Sequence, residues 1–409
     1  MSQSLTLSHQ TGHIHTSIKL PASKSEANRA LIISALAGAT SQVDNLSEAN
    51  DTQLLQRLLQ RDAEEINAED AGTVMRFLTA YYAITGQQKV LTGTERMCQR
   101  PIKVLVDALR ELGASINYLG EEGYPPLKIN GFSGSGKSEL TIRSDISSQY
   151  ISALLMVAPL LPEGLVLNLE GKIGSKPYID MTLSLMQHFG VEATFEENTI
   201  TVPAQKYKPN SFHVESDWSA ASYWYSIVAL AKEAEVTLLG LKENSFQGDS
   251  AVAEIMQHLG VYTTYSEAGI TLSKKRLEKH LSYDFSQCPD LAQTIVALCA
   301  ALGVTLELTG LESLRIKETD RIQALQIELL GMGSTMEEVT PGVFRMEPGI
   351  ITKKQLSFRT YQDHRMAMAF APLALLEPVE IQEPNVVRKS YPRFWEDLGK
   401  AGFEITYTT

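Results

Sequence analysis

The chain predicts an α/β protein of about six βαβαββ-like units, and two recurring patterns carry that prediction. The first is a helix-to-strand junction. VLVDALRELGASINYL, LSLMQHFGVEATFEENTITV, VAEIMQHLGVYTTYSEAGITL, IQALQIELLGMGSTMEEV and FWEDLGKAGFEITY each run at helical period, reach an apolar residue plus glycine, and then alternate. Their marker glycines, Gly113, Gly190, Gly260, Gly333 and Gly402, stand about 70 residues apart, a period typical of an internal repeat. Glycine after the last periodic residue is the expected helix C-cap, and Val191, Ala193 and Phe195 then read as a half-buried strand. A shorter copy sits at LLQRLLQRDAEEINA.

The second pattern is a helix with a polar start. SKSEANRALIISAL, EDAGTVMRFLTAYY, SSQYISALLMVAPL, DWSAASYWYSIVAL, ETDRIQALQIELL and DHRMAMAFAPLALL place Ser, Asp or Thr before a helical apolar run, the N-cap signature. Loops such as EEGYPP supply turns. The aromatic run Trp218, Tyr223, Trp224 and Tyr225 reads as core packing.

Composition narrows the function classes. With 409 residues the chain predicts two to three domains. Net charge is −12 with 44% apolar residues, so neither disorder nor a footprint for duplex nucleic acid is expected. The longest apolar stretch, residues 366–376, is too short to span a bilayer. Cys98, Cys288 and Cys299 lack CxxC spacing, which argues against a disulfide framework or a thiolate zinc site. His13 and His15 alternate on a strand with no carboxylate expected nearby, so no metal site is predicted there. The polar N-terminus shows no secretory signal, and a cytoplasmic protein is expected.

GFSGSGKS, residues 131–138, satisfies the phosphate-loop pattern, with Lys137 as the phosphate lysine. That chemistry requires a helix directly after the loop. SELTIRSD instead alternates at Leu140 and Ile142, so a Gly/Ser-rich hairpin turn between two strands is the expectation.

The informative cations stand at helix starts. Lys24 and Arg29 bracket the first helix, with Ser25 as a candidate cap sharing a face with Arg29. Arg76 lies one turn into its helix, and Arg100 before Pro101 suits a first turn. Lys317 and Arg321 bracket Glu318, Arg365 follows Asp363 and His364, and Lys389 precedes Ser390. A helix N-terminus already carries unpaired amides and partial positive charge, so repeated cations there imply that an anion completes the site. The expected ligand is a polyanion with several phosphates or carboxylates. Glu318 and Asp290 are the candidate acid–base groups; a capping or ion-pair role for Glu318 and an N-cap role for Asp290 stay open.

Taken in order, LPASKSEANRALIISALAG, DAGTVMRFLTA, QRPIKVLVDALRELGA, SSQYISALLMVAPL, SKPYIDMTLSLM, LRIKETDRIQALQIEL, DHRMAMAFAPLAL and KSYP resemble the enolpyruvyl transferase family, most closely its enolpyruvylshikimate-phosphate synthase branch. The resemblance covers residues 20–391. It implies two similar domains, each of three βαβαββ units, with helix N-termini converging on an interdomain cleft. One domain would join residues 1–21 to 216–409, and 22–215 would form the inserted domain. The implied reaction moves the carboxyvinyl group of phosphoenolpyruvate to the 5-hydroxyl of shikimate 3-phosphate and releases phosphate through a tetrahedral intermediate.

By motif, the resemblance assigns Ser25 and Arg29 to the shikimate carboxylate, Ser147, Ser148 and Ser175 to its phosphate, and Lys317 to the sugar acid. Lys24, Gln149 and Asp290 also fall among the shikimate 3-phosphate contacts. Lys24, Gly72, Arg100, Gln149, Arg321, Arg365 and Lys389 would bind phosphoenolpyruvate. Asp290 is the implied base, Glu318 the implied acid, and Lys24 a further catalytic group. No cofactor, metal, nucleic acid or membrane partner is implied, and the family tends to be monomeric.

The sequence departs from the family pattern in places. Asp70 stands where Asn is common, and a carboxylate near a phosphate site is repulsive unless it caps the helix or pairs with Arg76. Phe77 replaces proline, Ala27 replaces serine, and Ser313 occupies the position of a substrate-binding Asn. Retained Gly72 leads to an expectation of glyphosate inhibition. The rivals are a UDP-N-acetylglucosamine enolpyruvyl transferase, whose loop cysteine would lie five residues before its Arg-Pro rather than at Cys98, a phosphate-loop nucleotide enzyme, and a non-catalytic paralogue.

Overall fold

Buried helices alternate with parallel strands, and antiparallel hairpins close most of the repeats, in the computed structural model. It describes residues 4–38, 41–134, 136–143, 147–171, 173, 176–274 and 280–408. The chain forms two units, Lys24–Val214 and a discontinuous one of Met1–Ser23 with Glu215–Thr409. The crossings at 23/24 and 214/215 lie beside the expected breaks at 21/22 and 215/216.

In the inserted unit, one repeat runs through strand Glu65–Asn67, helix Gly72–Ile84, strand Lys89–Thr92, helix Lys103–Glu111 and strands Ala114–Tyr118 and Leu127–Phe132. The first two strands pair in parallel, and the last strand lies antiparallel between the second and third. Strands Glu139–Arg143, Leu165–Glu170, Thr194–Glu196 and Thr199–Val202 repeat this topology around helices Ser148–Val157 and Lys176–His188. The third sheet of this unit is reduced. Gln42–Asp44 and Ser211–His213 pair in parallel beside helices Lys24–Ala37 and Asn50–Gln60. Only residues 61–64 separate the second of these helices from the next strand, which leaves no length for a hairpin. Six sheets thus answer to the six expected units: five have four strands, and this one has two among the described residues.

The discontinuous unit has three four-stranded sheets. Strands His280–Asp284, Thr305–Thr309, Thr335–Thr340 and Val343–Glu347 come from one stretch of chain. The other two sheets need the N-terminus. Ser4–Ser8 lies antiparallel between Val379–Gln382 and Glu404–Thr408, while His13–Lys19 pairs in parallel with Glu233–Leu239. Backbone pairing therefore joins the chain's first residues to its C-terminal half.

The marker glycines behave as the repeat requires. Gly113, Gly190, Gly260, Gly333 and Gly402 have φ of 102°, 79°, 81°, 78° and 92°, a left-handed conformation that favours residues lacking Cβ. The strand after Gly190 starts at Thr194, later than Val191 suggested, although Val191 is buried. Asp217, Asp320 and Asp363 cap their helices, accepting hydrogen bonds from Ala220 N at 2.9 Å, Ile322 N at 3.1 Å and Arg365 N at 2.9 Å. Ser147 accepts from Gln149 N at 3.3 Å. Ser25, expected as a cap, lies inside helix Lys24–Ala37, and Ser23 precedes it.

Helices Trp218–Leu230, Ala292–Leu302 and His364–Phe370 pack together at the core of the discontinuous unit. Lys24–Ala37, Gly72–Ile84 and Ser148–Val157 do so in the inserted unit. Helices apolar nearly all round must be interior, so only their polar first turns can carry chemistry. Trp218, Tyr223, Trp224 and Tyr225 are fully buried, as their spacing suggested. The indole of Trp224 donates to Tyr391 Oη at 3.3 Å, and that hydroxyl donates to Asp397 at 2.9 Å.

Two loop expectations change. The strands flanking residues 131–138 belong to different sheets, so they do not pair as the expected hairpin. His13 also has an acidic neighbour, with Nδ1 3.1 Å from Glu233 on the adjacent parallel strand. Truncating the core is expected to be costly: Trp224→Ala should lower stability by about 3–5 kcal/mol, read as an earlier urea transition by near-UV circular dichroism.

Candidate active site

In the discontinuous unit, a buried arginine gathers three carboxylates. Arg321, the first residue of helix Arg321–Gly331, is 1% exposed. Its Nε donates to Asp363 at 2.7 Å, Nη1 to Asp290 at 2.9 Å and Nη2 to Glu318 at 2.9 Å. The three acids come from three different helix starts. Asp363 caps helix His364–Phe370, Asp290 lies in the turn Pro289–Leu291 before helix Ala292–Leu302, and Glu318 sits one turn before Arg321. Asp290 therefore does not cap its helix; its side chain turns to the arginines.

Arg365 closes the second side of Asp290. Its Nη2 donates to Asp290 Oδ2 at 2.8 Å and to Ser219 Oγ at 3.3 Å, and its Nη1 donates to the Asp290 carbonyl at 3.3 Å. Lys317 Nζ stands 3.9 Å from Asp290 Oδ1. Burial alone would push the Asp290 carboxyl up, but Arg365, Lys317 and Arg321 outweigh it and hold it well below the usual carboxylate range. Burial likewise penalises the charge on Arg321, whereas Asp363, Glu318 and Asp290 reverse the effect and raise it.

Lys389 lies apart from this knot. It ends the turn Pro384–Lys389, not a helix start as its spacing suggested, and donates to the Gln362 carbonyl at 3.1 Å. Ser219 and Asp249 were missed by sequence reasoning. Ser219 donates to the Asp249 carboxylate while accepting from Arg365. Gly248-Asp249-Ser250 before a helix reads as ordinary capping chemistry, so the sequence signal was present but ambiguous.

The inserted unit gathers a second set of cations at its helix starts. Lys24 pairs with Asp51 at 3.3 Å. Arg29 is buried, donating to Thr182 Oγ1 at 2.8 Å, Ser152 Oγ at 2.9 Å and the Ser25 carbonyl at 2.8 Å. No carboxylate lies within ion-pair distance of it among the described residues, and burial lowers its pKa to about 10. Gln149 donates to Thr73 Oγ1 at 3.0 Å, linking the starts of helices Ser148–Val157 and Gly72–Ile84. Ser147 caps the former helix and Ser148 begins it, while Ser175 lies outside the described residues.

Glycine at position 72 leaves room for two guanidiniums. A Cβ there would come within 2.6 Å of Arg76 Nη1 and 2.7 Å of Arg100 Nη1 and Nη2. Arg76 donates to the Gly72 carbonyl at 2.9 Å, and Arg100 to the Asp70 carbonyl at 3.5 Å. Arg100 precedes helix Lys103–Glu111 and does not lie in its first turn. The Asp70 side chain does not cap helix Gly72–Ile84, whose N-cap is Ala71; it accepts from the Thr94 hydroxyl.

The competing motifs find other uses. Lys137 forms an ion pair with Glu111 at 2.8 Å, and strand Glu139–Arg143 follows the glycine-rich segment in place of a helix. Cys98 ends a short helix, with Sγ 3.8 Å from the Gly93 carbonyl, and Cys288 and Cys299 are buried.

Fold and side chains together define an α/β repeat protein whose helix starts concentrate cations around paired carboxylates, an arrangement suited to group transfer between anions. Comparison with known proteins makes the class specific. The sequence matches the family EPSP synthase (3-phosphoshikimate 1-carboxyvinyltransferase) over residues 9–66 and 55–398. A protein of Bacteroides fragilis (strain ATCC 25285), named 3-phosphoshikimate 1-carboxyvinyltransferase, is 50% identical over 396 residues, covering 96% of each chain. Its namesake from Sulfurovum sp. (strain NBC37-1) is 37% identical over 417 residues, covering 94% of this chain and 96% of that one. The solved EPSP synthase of Acinetobacter baumannii shares the fold at TM-score 0.82 and 22% identity, covering 100% of both chains. The chain belongs to the EPSP synthase family, a family of transferases. No helix among the described residues is long and apolar enough to cross a membrane.

Two stability measurements test the arginine knot. Asp363→Ala leaves Arg321 short of a buried partner and should cost about 3–5 kcal/mol in chemical denaturation. Because the folded-state pKa of Asp290 is depressed, its contribution is full above the unfolded value of about 4 and is lost as pH falls through the folded value. The Tm gap between wild type and Asp290→Asn should therefore be widest near neutral pH and close under acid.

Proposed function

We propose that this chain transfers the carboxyvinyl group of phosphoenolpyruvate to the 5-hydroxyl of shikimate 3-phosphate, releasing inorganic phosphate. The observation that supports it most directly is Asp290. It is a buried carboxylate held ionised by Arg321, Arg365 and Lys317, with Glu318 on the same guanidinium 2.9 Å away. The proposed base and acid thus share the cations that anionic substrates require.

In the proposed reaction, Asp290 accepts the 5-hydroxyl proton as that oxygen bonds to C2 of phosphoenolpyruvate. Glu318 delivers a proton to the C3 methylene, giving a tetrahedral intermediate. The C2–O bond to phosphate then breaks, a proton leaves the C3 methyl group, and the enol ether forms. Two phosphates and two carboxylates bring roughly five to six negative charges, which Arg and Lys offset through charge-assisted, often bidentate hydrogen bonds. Positive character that develops at C2 as phosphate departs is stabilised by fixed carboxylates and phosphates.

In this scheme Lys24, Gly72, Arg100, Gln149, Arg321, Arg365 and Lys389 serve phosphoenolpyruvate. Lys24, Ser25, Arg29, Ser147, Ser148, Gln149, Ser175, Asp290 and Lys317 serve shikimate 3-phosphate. Arg29 is consistent with this role: an interior guanidinium bonded to two hydroxyls and a carbonyl retains donors for an anion. Phosphoenolpyruvate is already activated, so the scheme uses no metal or nucleotide cofactor. The enzyme is proposed to act as a cytoplasmic monomer.

The direct test is phosphate release in EDTA with both substrates, against controls containing UDP-N-acetylglucosamine or ATP. Release that requires shikimate 3-phosphate and phosphoenolpyruvate together is expected; release with UDP-N-acetylglucosamine in place of the sugar acid would overturn the reading. Asp290→Asn and Glu318→Gln should each lower kcat by about 10²–10⁴-fold while both ligands still bind, as measured by calorimetry. Glyphosate should inhibit, and unchanged activity at millimolar inhibitor would refute that expectation. Gly72→Ala, by displacing the Arg76 and Arg100 guanidiniums, should raise the KM for phosphoenolpyruvate about tenfold without altering Tm.

A further inference from the structure

The turn Gly248–Ala251 carries a carboxylate that the reaction scheme does not use. Asp249 is 4% exposed; one oxygen accepts from the Ser219 hydroxyl, and Oδ1 has no hydrogen-bond partner among the described residues. Its placement is enforced by the preceding residues. Gln247 accepts from Trp218 N at 3.0 Å and donates to the Ser216 carbonyl at 2.8 Å. Ser245 donates to Glu215 at 2.7 Å, and Glu215 also accepts from the Trp218 indole at 2.9 Å. Ser245, Gln247 and Asp249 thus grip successive polar groups at the start of helix Trp218–Leu230, and the last grip falls on Ser219. That hydroxyl, in turn, is one of the acceptors of the Arg365 guanidinium, whose same nitrogen holds Asp290.

We propose that Asp249 is a positioning residue for the transfer reaction: its carboxylate orients the Ser219 hydroxyl, which holds Arg365 in place against Asp290. The inference rests on the carboxyvinyl transfer proposed above. With Asp249 ionised, the Ser219 proton points to it and a Ser219 lone pair is left for Arg365. The groups facing Asp249 are Asp217 and Ser219 at the start of helix Trp218–Leu230, Asp290 and Cys288 around the turn Pro289–Leu291, and Arg365 on helix His364–Phe370. Burial first, and then the charge of Asp290, push the Asp249 pKa up to about 7, with Arg365 and Ser219 opposing. On protonation Oδ2 becomes a donor to Ser219, turns that hydroxyl's proton away and competes with Arg365 for its lone pairs, so the alignment weakens as pH falls through neutrality.

The sign for stability follows from the same shift. A carboxyl whose folded pKa is raised binds more protons in the folded than in the unfolded state between about pH 4 and 7, so it lowers stability as pH rises through that window. The experiment uses the full-length enzyme and the variants Asp249→Asn, Asp249→Ala, Ser219→Ala and Ser219→Ala/Asp249→Ala. It reads kcat and kcat/KM for both substrates from pH 5.5 to 9, with Tm across the same range.

Asp249→Asn retains an acceptor for Ser219 at every pH. It should flatten the acidic limb of kcat/KM near pH 7, and its Tm should gain on wild type as pH rises. Asp249→Ala and Ser219→Ala should each lower kcat/KM by about tenfold, the worth of one hydrogen bond, and the double variant should lose no more than either alone. An acidic limb that survives in Asp249→Asn, or losses that multiply in the double variant, would overturn the proposal. A Tm loss in Asp249→Ala with an unaltered pH profile and kcat/KM in Asp249→Asn would likewise leave Asp249 merely structural. Absence of wild-type turnover would overturn the reaction reading instead, so the two failures are distinct.

Discussion

Arg321 is the constraint on which the discontinuous unit's chemistry depends. Its guanidinium lies in the interior, where an uncompensated charge is prohibitively costly, and it is compensated by Asp363, Asp290 and Glu318 together. Each carboxylate belongs to a different helix start, so satisfying one side chain brings three segments into register. The arrangement also leaves Asp290 charged despite burial, because Arg365 and Lys317 add to the field. The electrostatics that stabilise the fold and those that poise the candidate base are one and the same.

The repeat explains why the chemistry is found at helix starts. The inner helices are buried along their length, and their partner strands run in parallel into them. Side chains beyond the first turn serve packing, as Trp218 and Trp224 do. Polar residues are tolerated at the first turn, where free backbone amides would otherwise lack partners. Lys24, Gly72, Gln149, Ser219 and Arg365 all occupy such positions, and Asp290 immediately precedes one. The same unpaired amides suit an anion.

The two units solve the charge problem differently. In one, arginines are neutralised by carboxylates that are also the proposed acid–base pair. In the other, Arg29 is bonded to the Ser152 and Thr182 hydroxyls and a carbonyl, which orient it without cancelling its charge. Glycine at position 72 has a comparable role, since any Cβ would displace the guanidiniums of Arg76 and Arg100. Asp70, which threatened repulsion when read in sequence, turns its carboxylate to Thr94.

Periodicity alone determined the helices, the five glycine-marked junctions and the α/β class, because these depend on local backbone preference and on which face is apolar. The cationic helix starts were equally legible, since a lysine or arginine at a positive helix end is anomalous without an anion. The sequence could not show that the sixth sheet lacks a hairpin, that 131–138 connects two sheets, or that His13 meets Glu233, because strand pairing joins residues far apart in the chain. Nor could it show how Asp290 and Asp249 diverge. Both precede helices and both look like caps. Only tertiary structure places Asp290 between Arg321 and Arg365 and puts Asp249 behind Ser219, so that the same burial leaves one charged and raises the other towards neutral pH. A carboxyl group's charge state is set by the neighbours that folding brings within a few ångströms, and those neighbours come from distant turns of the chain.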